Sequence, residues 1–91
     1  MELLHYKILV KGTVQGVWFR KYTKEKAEAL GLKGYVKNEV NRNVYIEAEG
    51  SIDILTNFIE WLYEGSPFSK VSEVVYELGE LQNYSEFNIS Y

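Results

Sequence analysis

The chain has 91 residues, 46% of them hydrophobic and 25% charged, which fits one folded domain over 1–91 and excludes a disordered or low-complexity chain. It has no cysteine and one histidine, His5, so disulfide frameworks, cysteine nucleophiles, thiolate metal sites and multi-histidine metal sites are excluded. A formal charge of -3 argues against a general nucleic-acid binder, and the lack of a long apolar run or signal-peptide pattern argues for a cytoplasmic protein with no membrane segment.

Residues 5–11 (HYKILVK) alternate, with Tyr6, Ile8 and Val10 on one face, and are predicted to form a half-buried strand. His5 opens this strand and is assigned a structural or surface role, since it has no partner histidine. Gly12 to Gly16 breaks the alternation and reads as a loop. Residues 18–30 put Phe19, Thr23, Ala27 and Leu30 on one stripe of a helix, with Gly31 suited to the left-handed position after it. Lys21/Glu25 and Lys24/Glu28 are spaced as surface pairs on that helix.

Residues 33–38 (KGYVKN) are a short strand candidate. Residues 43–49 alternate again, with Val44, Ile46 and Ala48 inward and Tyr45, Glu47 and Glu49 outward. Glu47 and Glu49 read as a solvated face. The short connection at Asn41-Arg42 makes the two strands a hairpin. Ser51 is a good N-cap for a second helix, whose stripe is Ile52, Leu55, Ile59 and Leu62, with Asp53 at its positive end. Gly65-Ser66-Pro67 ends that helix. Residues 71–78 are a strand candidate, and 86–91 close the chain with Phe87, Ile89 and Tyr91 alternating. Strand, helix, strand, strand, helix, strand is the order of an α+β, ferredoxin-like (βαββαβ) sandwich, an antiparallel sheet with two helices on one face. A fold of this kind hosts many activities and names none.

The chemistry lies in Lys11-Gly-Thr-Val-Gln-Gly-Val-Trp-Phe-Arg20, between the first strand and the first helix. Two glycines allow turns that aim successive N–H groups into one concavity. The helix start adds unpaired N–H groups and a positive dipole end. Arg20, in the first turn, can return its planar fork to the loop mouth and take two phosphate oxygens together. These features converge on a compact dianion held by Val14, Gln15, Gly16, Val17, Trp18, Phe19 and Arg20. A plain glycine turn with a solvated Arg20 would look the same by these criteria alone. The spacing is neither that of the GxxxxGK[ST] loop nor that of GxGxxG. The side chains of Thr13 and Gln15 are read as stabilising the loop, because the backbone supplies the donors. Trp18 is read as packed or part-exposed beside it.

Val10-Lys-Gly-Thr-Val-Gln-Gly-Val-Trp-Phe-Arg20 resembles the first signature of the acylphosphatases, and Gly34-Tyr-Val-Lys-Asn38 with Val44 and Gly50 resembles the second. The resemblance covers nearly the whole chain. It implies hydrolysis of an acyl phosphate to a carboxylate and inorganic phosphate, with no metal and no cofactor. It implies that Arg20 binds the phosphoryl group with the loop amides and that Asn38 orients the attacking water. The partners implied are a small acyl phosphate and inorganic phosphate or a similar anion as product or inhibitor, with no nucleic acid, no membrane and a monomeric enzyme. Arg42 stands where the second signature carries glycine, and Asn41 where aspartate is usual, so a positive φ is expected in that turn. The alternative is a phosphate- or anion-binding module of the same fold whose altered turn impairs catalysis. An RNA-binding sheet would instead need exposed aromatics on a basic face, and Glu47 and Glu49 share the face of Tyr45.

Overall fold

The alternation of apolar residues becomes an alternation of faces in the computed structural model, which describes residues 2–91. Its elements are β1 (Leu4–Thr13), α1 (Phe19–Ala29), β2 (Lys33–Asn38), β3 (Val44–Gly50), α2 (Ile52–Glu64), β4 (Lys70–Gly79) and β5 (Phe87–Ile89). The sheet order is β4-β1-β3-β2-β5. Tyr6, Ile8 and Val10 lie opposite Ala48, Ile46 and Val44, and Val36 lies opposite Ile46. Partners directly opposite share a face, so these residues form one apolar layer. α1 covers it over β2 and β5, and α2 over β4, β3 and β1. Phe19, Ala27, Leu55, Phe58 and Leu62 fill the space between, all buried. Each large side chain buried this way stabilises the fold by about 1.5–3 kcal/mol.

The same register fixes where Asn38 sits. It pairs with Val44 and lies two residues beyond the buried Val36, so it ends the core-facing row of β2. At this same end of the sheet, where Val10 and Asn38 both pair with Val44, β1 is bulged between Lys11 and Gly12 against β4. A Cβ on Gly12 would lie 2.2 Å from the Lys70 carbonyl oxygen, so only glycine lets the strands close there. The chain then leaves the sheet into the loop that leads to α1.

Both predicted helices form, with changes at their starts. α1 begins at Phe19, because Trp18 is in the left-handed region at φ 63° and serves as the N-cap. At its other end Gly31 takes φ 77°, and Leu32 returns its N–H to Ala27 and buries its side chain as expected. Ser51 is the N-cap of α2, but its hydroxyl makes no cap bond and is buried without a partner among the described residues. The Lys24–Glu28 pair is present at 4.0 Å, whereas the Lys21 ammonium lies 5.3 Å from the centre of the Trp18 ring.

The sheet is antiparallel from β1 to β4, and the terminal strand adds to β2 in parallel, with Val36 opposite Ile89. To reach that edge, residues 80–86 cross the outer face of the sheet, and this overturns the reading of Glu47 and Glu49 as solvated. Glu49 is buried and Glu47 half-buried. Glu49 accepts hydrogen bonds from the N–H groups of Gln82 and Tyr84. Glu47 accepts from the hydroxyls of Tyr35, Tyr45 and Tyr84. His5, 1% exposed, lies between the two, with Nδ1 2.7 Å from Glu49 and Nε2 2.7 Å from Glu47. Alternation gave the correct face, but it carried no information about the segment that covers it. Burial alone would raise both carboxyls. The hydrogen bonds outweigh it, from Tyr45, Tyr35, His5 and Tyr84 for Glu47 and from Gln82, His5 and Tyr84 for Glu49, and both lie below the usual carboxylate range. Burial and the same Glu47 charge push the Tyr84 hydroxyl up to about 12. With Tyr35 and Tyr45 bonded to Glu47, this face is not the basic aromatic platform an RNA-binding sheet requires.

Candidate active site

The loop between β1 and α1 is held from several sides. Val14 and Phe19 are buried, which anchors both ends in the core. Buried Ser66, just past α2, donates its hydroxyl to the Val17 carbonyl at 2.8 Å and turns that acceptor away. Gln15 donates its side-chain amide to the carbonyls of Glu39 and Asn43, at 2.9 and 2.8 Å. That agrees with the reading of Gln15 as a loop stabiliser, and it joins the loop to the β2–β3 hairpin. Thr13 ends β1 and pairs with Lys70.

Gly16 has φ 73° and Trp18 φ 63°, both in the left-handed region that lets a loop point successive N–H groups one way. Among the described residues, no backbone carbonyl accepts an N–H from Gln15 to Lys21. N–H groups left unpaired at the start of a helix carry the positive end of its dipole, which favours an anion. The cavity beside them is about 390 Å³, and Arg20, Asn38, Gly16 and Trp18 all line it. Sequence reasoning had Arg20 and Asn38 acting on one substrate, and they share this cavity from different elements. Arg20 comes from the first turn of α1 and Asn38 from the end of β2.

The Oδ1 atom of Asn38 is buried and has no hydrogen-bond partner among the described residues. A buried carbonyl oxygen without a donor costs about 1–3 kcal/mol, which a water or ligand donor at that spot would relieve. The turn after it closes despite its unusual residues. Glu39 N–H donates to Asn43 at 2.8 Å, and Arg42 N–H donates to Glu39 at 3.2 Å. The positive φ expected in the turn falls on Arg42, at 73°. Asn41 Oδ1 accepts the Asn43 N–H at 3.2 Å.

Three residues at this cavity were missed from the sequence: Lys21, read only as a surface helix residue, and Ile89 and Tyr91 at the end of the chain. The Tyr91 ring lies 5.0 Å from the Arg20 guanidinium carbon, and Ile89 and Tyr91 come from one segment. Their alternation was visible, and so was the face they share. What was not visible is the parallel pairing that sets Ile89 beside Val36, so that Tyr91 reaches the level of Asn38. Trp18 is 67% exposed and flanks the same cavity, as the sequence reading allowed.

A model of the acylphosphatase family matches residues 6–89 of the chain. The chain belongs to the acylphosphatase family. It is 44% identical over 90 residues to the acylphosphatase of Bacillus licheniformis, covering 98% of this chain and all of that one. The crystal structure of the acylphosphatase from Bacillus subtilis superposes with a TM-score of 0.94 at 40% identity, covering 99% of this chain and all of that chain. The acylphosphatase structure from Coxiella burnetii gives 0.93 at 39% identity over 97% of this chain and 93% of that one. The function that comes with membership is that of an acylphosphatase, a hydrolase of acyl phosphates.

Proposed function

We propose that this acylphosphatase hydrolyses the carboxyl–phosphate bond without a metal, with Arg20 and the amides of residues 14–20 holding the phosphoryl group and Asn38 orienting the water. The observation that carries this reading is the unpartnered, buried Oδ1 of Asn38, which lines one cavity with Arg20. A neutral amide is a weak base, but its carbonyl oxygen accepts a hydrogen bond from water and fixes the direction of attack. The water oxygen forms the new P–O bond while the bond from phosphorus to the acyl oxygen breaks. The bonding pair leaves with the carboxylate. The water proton passes to a phosphoryl oxygen, so the products are a carboxylate and dihydrogen phosphate, and no protein base is required. A carboxylate is a good leaving group, so positioning and charge stabilisation suffice for the step. Arg20 supplies charge and a two-pronged geometry together. The substrate is a small molecule and the site is built within one chain, which suits a monomer. The cysteine-free chain suits the cytoplasm.

The test is steady-state hydrolysis of benzoyl phosphate in a chelator-containing buffer, with wild type beside folded Arg20→Ala and Asn38→Ala. Wild type is expected to turn over, and each variant to lose about 100- to 1,000-fold in kcat/KM, with Arg20→Ala the more severe. Arg20→Lys is expected to stay impaired, because a point charge lacks the fork. A folded wild type that binds phosphate without hydrolysing the substrate would instead identify an impaired binding module.

A further inference from the structure

Gln15 lies in the phosphate loop, yet its side chain points its donors at the hairpin. Both of its partners are carbonyl oxygens, those of Glu39 and Asn43, at 2.9 and 2.8 Å. A carbonyl cannot donate, so the nitrogen of the Gln15 amide must face them, and each N–H is used once. The two acceptors are the two ends of one turn: Glu39 and Asn43 are also joined by the Glu39 N–H bond at 2.8 Å. Glu39 directly follows Asn38 in the chain. Gln15 therefore grips the hairpin at the residue next to the one with the unpartnered buried oxygen. The turn it grips contains a strained arginine, Arg42 at φ 73°, so the turn's own sequence does not hold this shape unaided.

We propose that Gln15 is a positioning residue for the hydrolysis. It locks the β2–β3 hairpin to the phosphate loop and so sets the distance between Asn38 Oδ1 and the phosphoryl group. This rests on the reading of Asn38 as the residue that orients water. The phosphoryl group and the water are held by different elements, one by the loop and α1 and one by the end of β2. The sheet register through β3 sets Asn38 coarsely against β1, and the Gln15 amide adds a direct cross-link between the loop itself and the hairpin. A displacement of about 1 Å in such a site costs on the order of 100-fold in rate. Loss of the cross-link thus acts on turnover through Asn38, while the glycine turns, the Ser66 bond to Val17 and buried Phe19 still shape the cradle.

The experiment is a double-mutant cycle on benzoyl phosphate hydrolysis with wild type, Gln15→Met, Asn38→Ala and the double variant. Gln15→Met keeps the length and removes both donors. Inhibition by inorganic phosphate is measured on all four proteins as an independent readout of the cradle. Expected are a loss in kcat of about 10-fold or more for Gln15→Met, on the scale that misplacement causes, with phosphate inhibition within about 3-fold of wild type. The double variant is expected to be no slower than Asn38→Ala, since residues that act through one another are not additive. Phosphate affinity falling in step with kcat would overturn the proposal, and so would single losses that multiply in the double variant. Should Gln15→Met fail to fold, Gln15→Asn, which keeps the donor but shortens its reach, goes through the same cycle with the same criteria. A wild type that does not hydrolyse benzoyl phosphate refutes the proposed function itself. An active wild type with additive losses refutes the role of Gln15 alone.

Discussion

Arg42 is an arginine in a conformation that favours glycine, and it sits in the turn that follows the candidate water-orienting residue. A non-glycine residue in the left-handed region costs about 1–3 kcal/mol, and part of the gain from glycine is offset by its larger freedom in the unfolded chain. Arg42→Gly is therefore expected to stabilise the protein by about 1 kcal/mol, a rise of roughly 4–8 °C in the thermal midpoint for a chain of this size. Calorimetry on the two proteins decides it, and an unchanged or lower midpoint would show that the turn is not strained. The need for a positive φ here was legible in the sequence, because a short hairpin connection demands one and the usual glycine is missing. Arg20 and Asn38 stood out as candidates because each lies in a short motif that resembles a family signature, but that they line one cavity depends on the fold. Gln15 was legible only as a loop stabiliser. Its partners are 24 and 28 residues away, and no local pattern encodes that distance.

Among the elements, β5 carries more than its three residues suggest. It brings Ile89 and Tyr91 to the cavity, and it reaches that edge by a segment that crosses the outer face of the sheet. That crossing is fastened to β3 and β1 by Glu49, Glu47 and His5. The strand itself was legible from the alternation of Phe87 and Ile89. Its direction and the burial of Glu47 and Glu49 were not, because both depend on where a later segment runs. The neighbouring β4 accommodates the imidazole: a Cβ on Gly79 would come within 2.7 Å of the His5 ring. Each carboxylate keeps other donors without His5, but the two lose the ring that separates and joins them. The ring contacts both carboxylates, and a hydrogen bond to a charged group contributes about 1.5–3 kcal/mol. His5→Ala is expected to lower the thermal midpoint by roughly 6 °C or more on that basis, a large loss for one residue far from the cavity. A shift of only a few degrees would mean that the network is no more than a surface arrangement.

At the scale of the molecule, the sheet separates two chemistries. One face carries the apolar core, and at its end Arg20 and Asn38 share a cavity. The other carries two carboxyls held below their ordinary value of 4.5 by hydrogen bonds that outweigh their burial. A group whose folded value is depressed stabilises the fold above its unfolded value and loses that contribution as pH falls through the folded one. For Glu47 and Glu49 the loss therefore begins near pH 4.5 and deepens below it. Protonation weakens the bonds these groups accept, and the segment from Gln82 to Tyr84 is what those bonds hold down. Because the same segment delivers β5, acid is expected to loosen the Tyr91 side of the cavity as well as the far face. The thermal midpoint should fall steeply below about pH 4.5, the range in which depressed carboxylates take up protons. Glu47→Gln, less stable at neutral pH, should show a shallower fall because one of the two titrating groups is gone. Midpoints measured from pH 7 to pH 3 on both proteins compare the slopes directly. Parallel slopes would place the acid sensitivity in other carboxylates and remove Glu47 from the account of how this fold is held.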